Sequence, residues 1–264
     1  MAHKEQLAFV SAVHKHLGPM FRDDGILEIG SYDVNGSVRS ILLSGASVAD
    51  AGRYTGADLT PGPGVDLVKS GHEIDMPSSS LGLAISAECF EHNPYWLETF
   101  VNMIRMTRPG GVVAFTCASV GRLEHGTDRS AASASPGTTA LGMNYYLNLS
   151  ERDFRARIDH DQHFLMHRYF YIEASNDLYF LGIKREGTGQ AAMDDSASLT
   201  RSFTDALKEI MSIHRMRSIE FGETAELRNR LLHHLPKKLL ATMLGERVFQ
   251  NVALYLRNRM HRSS

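Results

Sequence analysis

Short apolar runs recur along the first two thirds of the chain with helix-like segments between them, and this alternation constrains the fold more than any other feature. The runs are "GILEI" (25–29), "RYTGADL" (53–59), "VDLV" (65–68), "LGLAISA" (81–87) and "GVVAFTC" (111–117). They are nearly continuous rather than alternating, the pattern of strands buried on both faces of a sheet. Leu7, Val10, Val13 and Leu17 at helical spacing predict an N-terminal helix over 4–17, "GSVRSILL" (36–43) reads as a helix start, and "PYWLETFVNMIRMT" reads as a helix between the last two runs. Strands alternating with helices imply a parallel sheet with crossover connections.

Beyond residue 117 the character changes. Residues 119–149 show no periodicity and a Ser/Ala/Gly/Pro bias, which predicts a long loop, functional or disordered. "SERDFRARI" reads as a helix capped by Ser150, and "QHFLMHRYFYIE" and "DLYFLGIKR", joined at "ASN", read as an antiparallel hairpin. A polar linker (186–198) leads into helical material at 199–264. Phe203, Leu207, Ile210 and Met211 form one apolar face there, and Leu240, Leu244, Val248, Val252 and Leu256 form another.

The ligand of an open parallel sheet sits beyond the carboxyl ends of its strands, and the first strand-to-helix turn is the usual contact. That turn reads "ILEIGSYDVNGS" (26–37), with Gly30 and Gly36 too far apart for a dinucleotide fingerprint, which argues against a nicotinamide dehydrogenase. Glu28 in the same turn repels phosphate and suits a cation. The arrangement resembles the first motif of the class I S-adenosylmethionine-dependent methyltransferases, and the likeness continues over about residues 20–184. "GADLTPGPGVDLV" resembles the second motif, "ISAECFEH" the fourth-strand motif and "RPGG" (108–111) the turn before the fifth strand.

The resemblance implies a Rossmann-like α/β fold, a mostly parallel seven-stranded sheet with a terminal antiparallel hairpin, spanning 1–185 and followed by C-terminal helices. It also implies S-adenosylmethionine as cofactor, held by Glu28, Gly30, Ser31, Gly36, Asp58, Leu59, Ala87 and Glu88, with Asp58 on the ribose hydroxyls. Where the family often has an Asp after strand three, "VKSGHEI" offers Ser70 and Gly71, so adenine recognition passes to Gly71, His72 and Glu73. Glu91 and His92 follow strand four near the methyl donor. His125, in "LEHGTDR", is the expected general base under the 119–149 lid; His92 is the second catalytic candidate, and Tyr145 and Tyr146 are candidate substrate contacts.

The expected reaction is methyl transfer to a small-molecule or carbohydrate acceptor at a hydroxyl oxygen, since a base is present and the Asn/Asp-Pro-Pro-Tyr/Phe pattern used on nitrogens is absent. A methyltransferase of a protein or other macromolecule and an inactive cofactor-binding partner subunit are the alternatives. The formal net charge of −2 gives no global argument for nucleic acid. Cys89 and Cys117 read as free thiols in a reducing, cytoplasmic setting. The histidines show no metal-ligand spacing, so no metal is expected. The tail is basic, with Arg228, Arg230, Lys237, Lys238, Arg247, Arg257, Arg259 and Arg262 against Glu246. Its apolar face is expected to be covered by the core or by a second copy in a homodimer; peripheral contact with an anionic membrane is the other cover.

Overall fold

The structure is a computed structural model and describes residues 4–34, 36–45, 52–185, 196–221 and 235–261. Seven strands form one sheet: β1 (Gly25–Ile29), β2 (Tyr54–Asp58), β3 (Leu67–Val68), β4 (Leu81–Ala87), β5 (Thr107–Ala118), β6 (Phe164–Ile172) and β7 (Asp177–Lys184), in the order β3-β2-β1-β4-β5-β7-β6. The pairs β1–β2, β1–β4, β2–β3 and β4–β5 are parallel, while β7 runs antiparallel to both β5 and β6. This is the mostly parallel sheet with a terminal hairpin that the resemblance implies.

Every strand but β3 feeds two cores because successive side chains point to opposite faces. Ile26, Leu83, Ile85, Val112 and Ala114 face one side, packed against Phe9 and Val13 of α1 (Lys4–Leu17). Leu27, Ala84, Val113 and Phe115 face the other, against Phe100 and Met103 of α3 (Trp96–Met106) and Phe154 of α5 (Glu151–Arg155). The remaining short helices are α2 (Arg39–Leu42), α4 (Pro136–Ala140) and α6 (His160–His163).

The linker assigned to 186–198 lies largely outside the described residues. Past it, α7 (Ser196–Phe221) joins the first core through Leu199, Phe203, Ala206, Ile210 and Ile213. Burial on this scale is worth about 1.5–3 kcal/mol for each large side chain. Met211, expected on this face, is exposed, and Leu207 is half-buried. In α8 (Leu235–Leu244) and α9 (Glu246–His261) the packed side is Ala241, Phe249, Gln250 and Leu254. Leu240, Leu244, Val248, Val252 and Leu256 are each about half exposed, so the core does not cover the expected face. Arg228, Arg230 and Arg262 lie outside the described residues. Among the described residues no helix is long and apolar enough to cross a membrane.

β1 stands between β2 and β4, and the crossovers on its two sides run in opposite directions. A crevice opens at such a switch point beyond the carboxyl ends of the strands. There Gly30 has φ +84°, and a Cβ on it would stand 2.5 Å from Cys89 Cβ, so only glycine lets the β1 exit pass the β4 exit.

Candidate active site

The crevice holds a pocket of about 940 Å³, continuous with solvent, built from the ends of β1, β2 and β4 and from the loop after β5. Of the expected cofactor residues, Glu28, Gly30, Ser31, Gly36, Asp58, Leu59, Gly71, Ala87 and Glu88 line it. His72 and Glu73 do not. The His72 ring stacks on Tyr95 at 4.1 Å with its Nδ1 2.8 Å from Ser70 Oγ, and Glu73 is exposed. Lys69 and Ser70 take part in the lining instead.

Asp58 ends β2 with each carboxylate oxygen fixed by a backbone donor: Tyr32 N–H donates to Oδ2 at 3.0 Å and Leu59 N–H to Oδ1 at 2.7 Å. Burial pushes its pKa up, opposed by those two bonds. Four lone-pair positions on a carboxylate leave room for further donors. Glu28 is buried and accepts the Tyr54 hydroxyl. Burial raises it to about 7, against the pull of Tyr54 and Arg39 and with the push of Asp58 and Asp33.

Glu88 caps β4 in a left-handed conformation, φ +52°, which a non-glycine residue holds only when its surroundings dictate it. Its N–H donates to the Thr116 carbonyl at 2.9 Å. Burial and the nearby Glu91 carboxylate raise Glu88 to about 7. Arg122 is the cation among these acids: it stands 3.6 Å from Asp177 Oδ1 and donates to the Ser175 carbonyl at 2.8 Å.

At the far end of the pocket, the turn after β4 carries Glu91 and His92, both buried. The 119–149 segment brings His125 to them, with its Nε2 3.9 Å from Glu91 Oε1 and the two imidazoles edge to face at 5.0 Å. Tyr146 packs on both rings at 5.4 and 5.1 Å. Burial first, then the His125 charge, depresses His92 to about 3; burial raises Glu91 to about 7. His92 lines the pocket, whereas His125, Tyr145 and Tyr146 do not. Gly126 (φ +67°) permits this approach, since a Cβ there would sit 2.7 Å from His92 Cε1.

The same segment also covers the Asp58 end of the pocket. Ala134–Thr138 line the pocket, and Gly137 lies so close to Asp58 that a Cβ would meet Oδ1 at 2.8 Å. Outside, α9 holds the segment in place. Glu124 N–H donates to Gln250 Oε1 at 2.9 Å, Gln250 Nε2 donates to the Arg122 carbonyl, and Asn148 Nδ2 donates to Glu246 Oε1 at 2.5 Å.

Sequence reasoning passed over Gln6, which reaches the pocket from α1 and donates to Thr116 Oγ1 at 3.1 Å, and it passed over Arg122 and Asp177. A polar residue interrupting the apolar face of a predicted helix was the available signal for Gln6. No metal spacing exists along the sequence, yet one ring nitrogen from His92, one from His125 and one Glu91 oxygen all lie within 4.8 Å of one another. Both cysteines are free, Cys117 buried and Cys89 half-buried.

No family model matches the chain, and no curated protein does. Solved structures that resemble it include 1,6-didemethyltoxoflavin-N1-methyltransferase of Burkholderia thailandensis with S-adenosylhomocysteine (TM-score 0.46, 13% identity, 69% of this chain and 80% of that one). Two others are geranyl diphosphate C-methyltransferase of Streptomyces coelicolor A3(2) with Mg2+, geranyl diphosphate and S-adenosyl-L-homocysteine (0.44, 13%, 70% and 83%) and N-methyltransferase NodS of Bradyrhizobium japonicum WM9 with S-adenosyl-l-homocysteine (0.42, 12%, 70% and 89%). At these identities none of their substrates transfers to this chain.

Proposed function

We propose that the chain is an S-adenosylmethionine-dependent methyltransferase acting on a hydroxyl oxygen of a small-molecule or carbohydrate acceptor. The observation that carries this reading is the acidity of the pocket. Glu28, Asp58 and Glu88 line it against Lys69, whose ammonium is already 3.0 Å from Asp75. Such a lining favours a ligand that is cationic at its amino and sulfonium groups and disfavours a pyrophosphate.

The residues fit that ligand. Asp58 has two backbone-fixed oxygens to accept the ribose hydroxyls, Glu28 accepts the amino group, and the Lys69–Gly71 backbone borders the base. Bound there, the cofactor supplies an electrophilic methyl group. The chain's own task is to orient it toward the acceptor and keep water out, which Ala134–Thr138 serve by lying over Asp58. His92, His125 and Tyr146 stand at the acceptor end, and the two histidines with Glu91 deal with the proton that the hydroxyl loses.

Calorimetry with S-adenosylmethionine and S-adenosylhomocysteine tests the reading. Asp58→Ala is expected to cost about 1.5–3 kcal/mol of binding through lost charge-assisted hydrogen bonds. Absence of binding in the wild type, or an unchanged affinity in the variant, would overturn the assignment. Cofactor binding without methylation of any acceptor would leave only the inactive-partner reading.

A further inference from the structure

Glu91, His92 and His125 bring one carboxylate and two imidazoles together, with one ligand-capable atom of each within 4.8 Å of the others. Both Glu91 oxygens are buried and have no hydrogen-bond partner, and His92 Nδ1 is buried in the same condition. His125 Nδ1 lies 3.1 Å from the Leu123 carbonyl, which can only accept. That nitrogen therefore carries the proton, and in the neutral ring Nε2, facing Glu91, is an acceptor. That Nε2 stands 3.9 Å from Glu91 Oε1. The nearby charges deepen the deficit, since Glu88 and Asp177 face the group with Arg122 as their counter-ion.

We propose that Glu91, His92 and His125 form a binding site for one divalent transition-metal ion, of the zinc, iron or manganese class. Two imidazoles and one carboxylate are the ligand set such ions take, with positions left open. The Leu123 carbonyl orients the His125 ring as the second layer of metal sites commonly does. Tetrahedral ligands at about 2.1 Å from a metal stand about 3.4 Å apart, so the present limit of 4.8 Å requires side-chain adjustments of roughly 1 Å. Three ligands leave an open position, and His92 borders the pocket, so that position faces the acceptor end. This last step rests on the methyltransferase reading. A hydroxyl bound there is acidified and its proton leaves to solvent, so that with the ion in place Glu91 and the two histidines deal with that proton as ligands rather than as bases.

The full-length protein is stripped with a chelator, dialysed and titrated with Co2+ and with Zn2+. The expected result is one ion per chain by calorimetry, with visible d–d absorption from Co2+. His125→Ala and the near-isosteric Glu91→Gln should each weaken binding on the order of 100-fold or more. Circular dichroism and S-adenosylhomocysteine affinity are measured on the same samples. A stripped protein that takes up no ion, or one whose uptake is indifferent to both substitutions, overturns the metal site and returns the His125 lone pair to proton abstraction. Metal uptake without S-adenosylhomocysteine binding would instead uphold the site and refute the methyltransferase reading.

Discussion

Glu28→Gln should move stability and cofactor affinity in opposite directions. In the folded chain the Glu28 carboxyl sits at about 7 against an ordinary 4.5, chiefly because burial penalises its charged form. A raised acid contributes stability that is complete below about pH 4.5 and is lost as pH climbs through 7. The loss is roughly 2.5 pH units of linkage, or about 3 kcal/mol. Glutamine keeps an acceptor for the Tyr54 hydroxyl and never ionises. Its stability relative to wild type should therefore rise between pH 4.5 and pH 8 by about 3 kcal/mol, or about 6–12 °C in melting temperature for a chain of this size. The groups facing Glu28 are Tyr54 and Asp58 from β2, Arg39 from α2 and Asp33 from the loop. Their effects on the Glu28 charge are already contained in its position near 7. Affinity for S-adenosylmethionine should fall by about 10- to 100-fold, because the carboxylate that answers the ligand's amino group is gone. Thermal melts of the ligand-free proteins across that pH range, with calorimetry at pH 8, measure both effects. Melting curves that stay parallel from pH 4.5 to pH 8 would refute the claim that Glu28 is buried at a cost, and unchanged affinity would refute its role at the cofactor.

Gly137→Ala should weaken cofactor binding about tenfold with little loss of melting temperature, because the new methyl group meets Asp58 Oδ1 on the pocket side of an otherwise tolerant segment; titration calorimetry reads this directly. Gln250→Ala removes the bonds to Glu124 N–H and the Arg122 carbonyl, and is expected to lower turnover more than cofactor affinity, by about tenfold, in a steady-state methylation assay. The exposed face of α8 and α9 is expected to pair two copies, so Leu240→Glu with Val252→Glu should shift sedimentation from dimer to monomer. Retention of the full chain, but not of one ending at 226, on anionic vesicles would favour a membrane as cover instead.

The sheet was legible because its strands are buried on both faces and therefore announce themselves as continuous apolar runs; "LGLAISA" is β4 residue for residue. The end of the pocket at Glu28 and Asp58 was legible for a related reason. Asp58 is the last residue of β2 and Glu28 the next to last of β1, and the sheet fixes where strand ends go. Nothing comparable marks the histidine end. His125 reaches Glu91 and His92 only through an aperiodic segment whose turns depend on Gly126, and local spacing carries no trace of that encounter. His72 and Glu73 mark the opposite limit, adjacent in sequence to a lining residue yet turned away by the short helical turn at Gly71–Glu73.

The tail misled the periodicity argument for an instructive reason. Treating 240–256 as one helix selects Leu240, Leu244, Val248, Val252 and Leu256, but the chain breaks at Gly245 (φ +79°) and α9 starts afresh. The side of α9 that packs includes Glu246 and Gln250, which hydropathy scores as solvent-facing. They are buried or half-buried because the 119–149 segment presents backbone donors and acceptors, at Glu124 and Arg122, that water no longer serves. A polar helix face that satisfies a loop's backbone is invisible to any hydrophobic pattern. Arg129 on the same loop also bonds Asn251, at 2.7 Å. The segment carrying His125 is therefore positioned by helices that follow the sheet in sequence, and the histidine end of the pocket depends on residues well beyond 185.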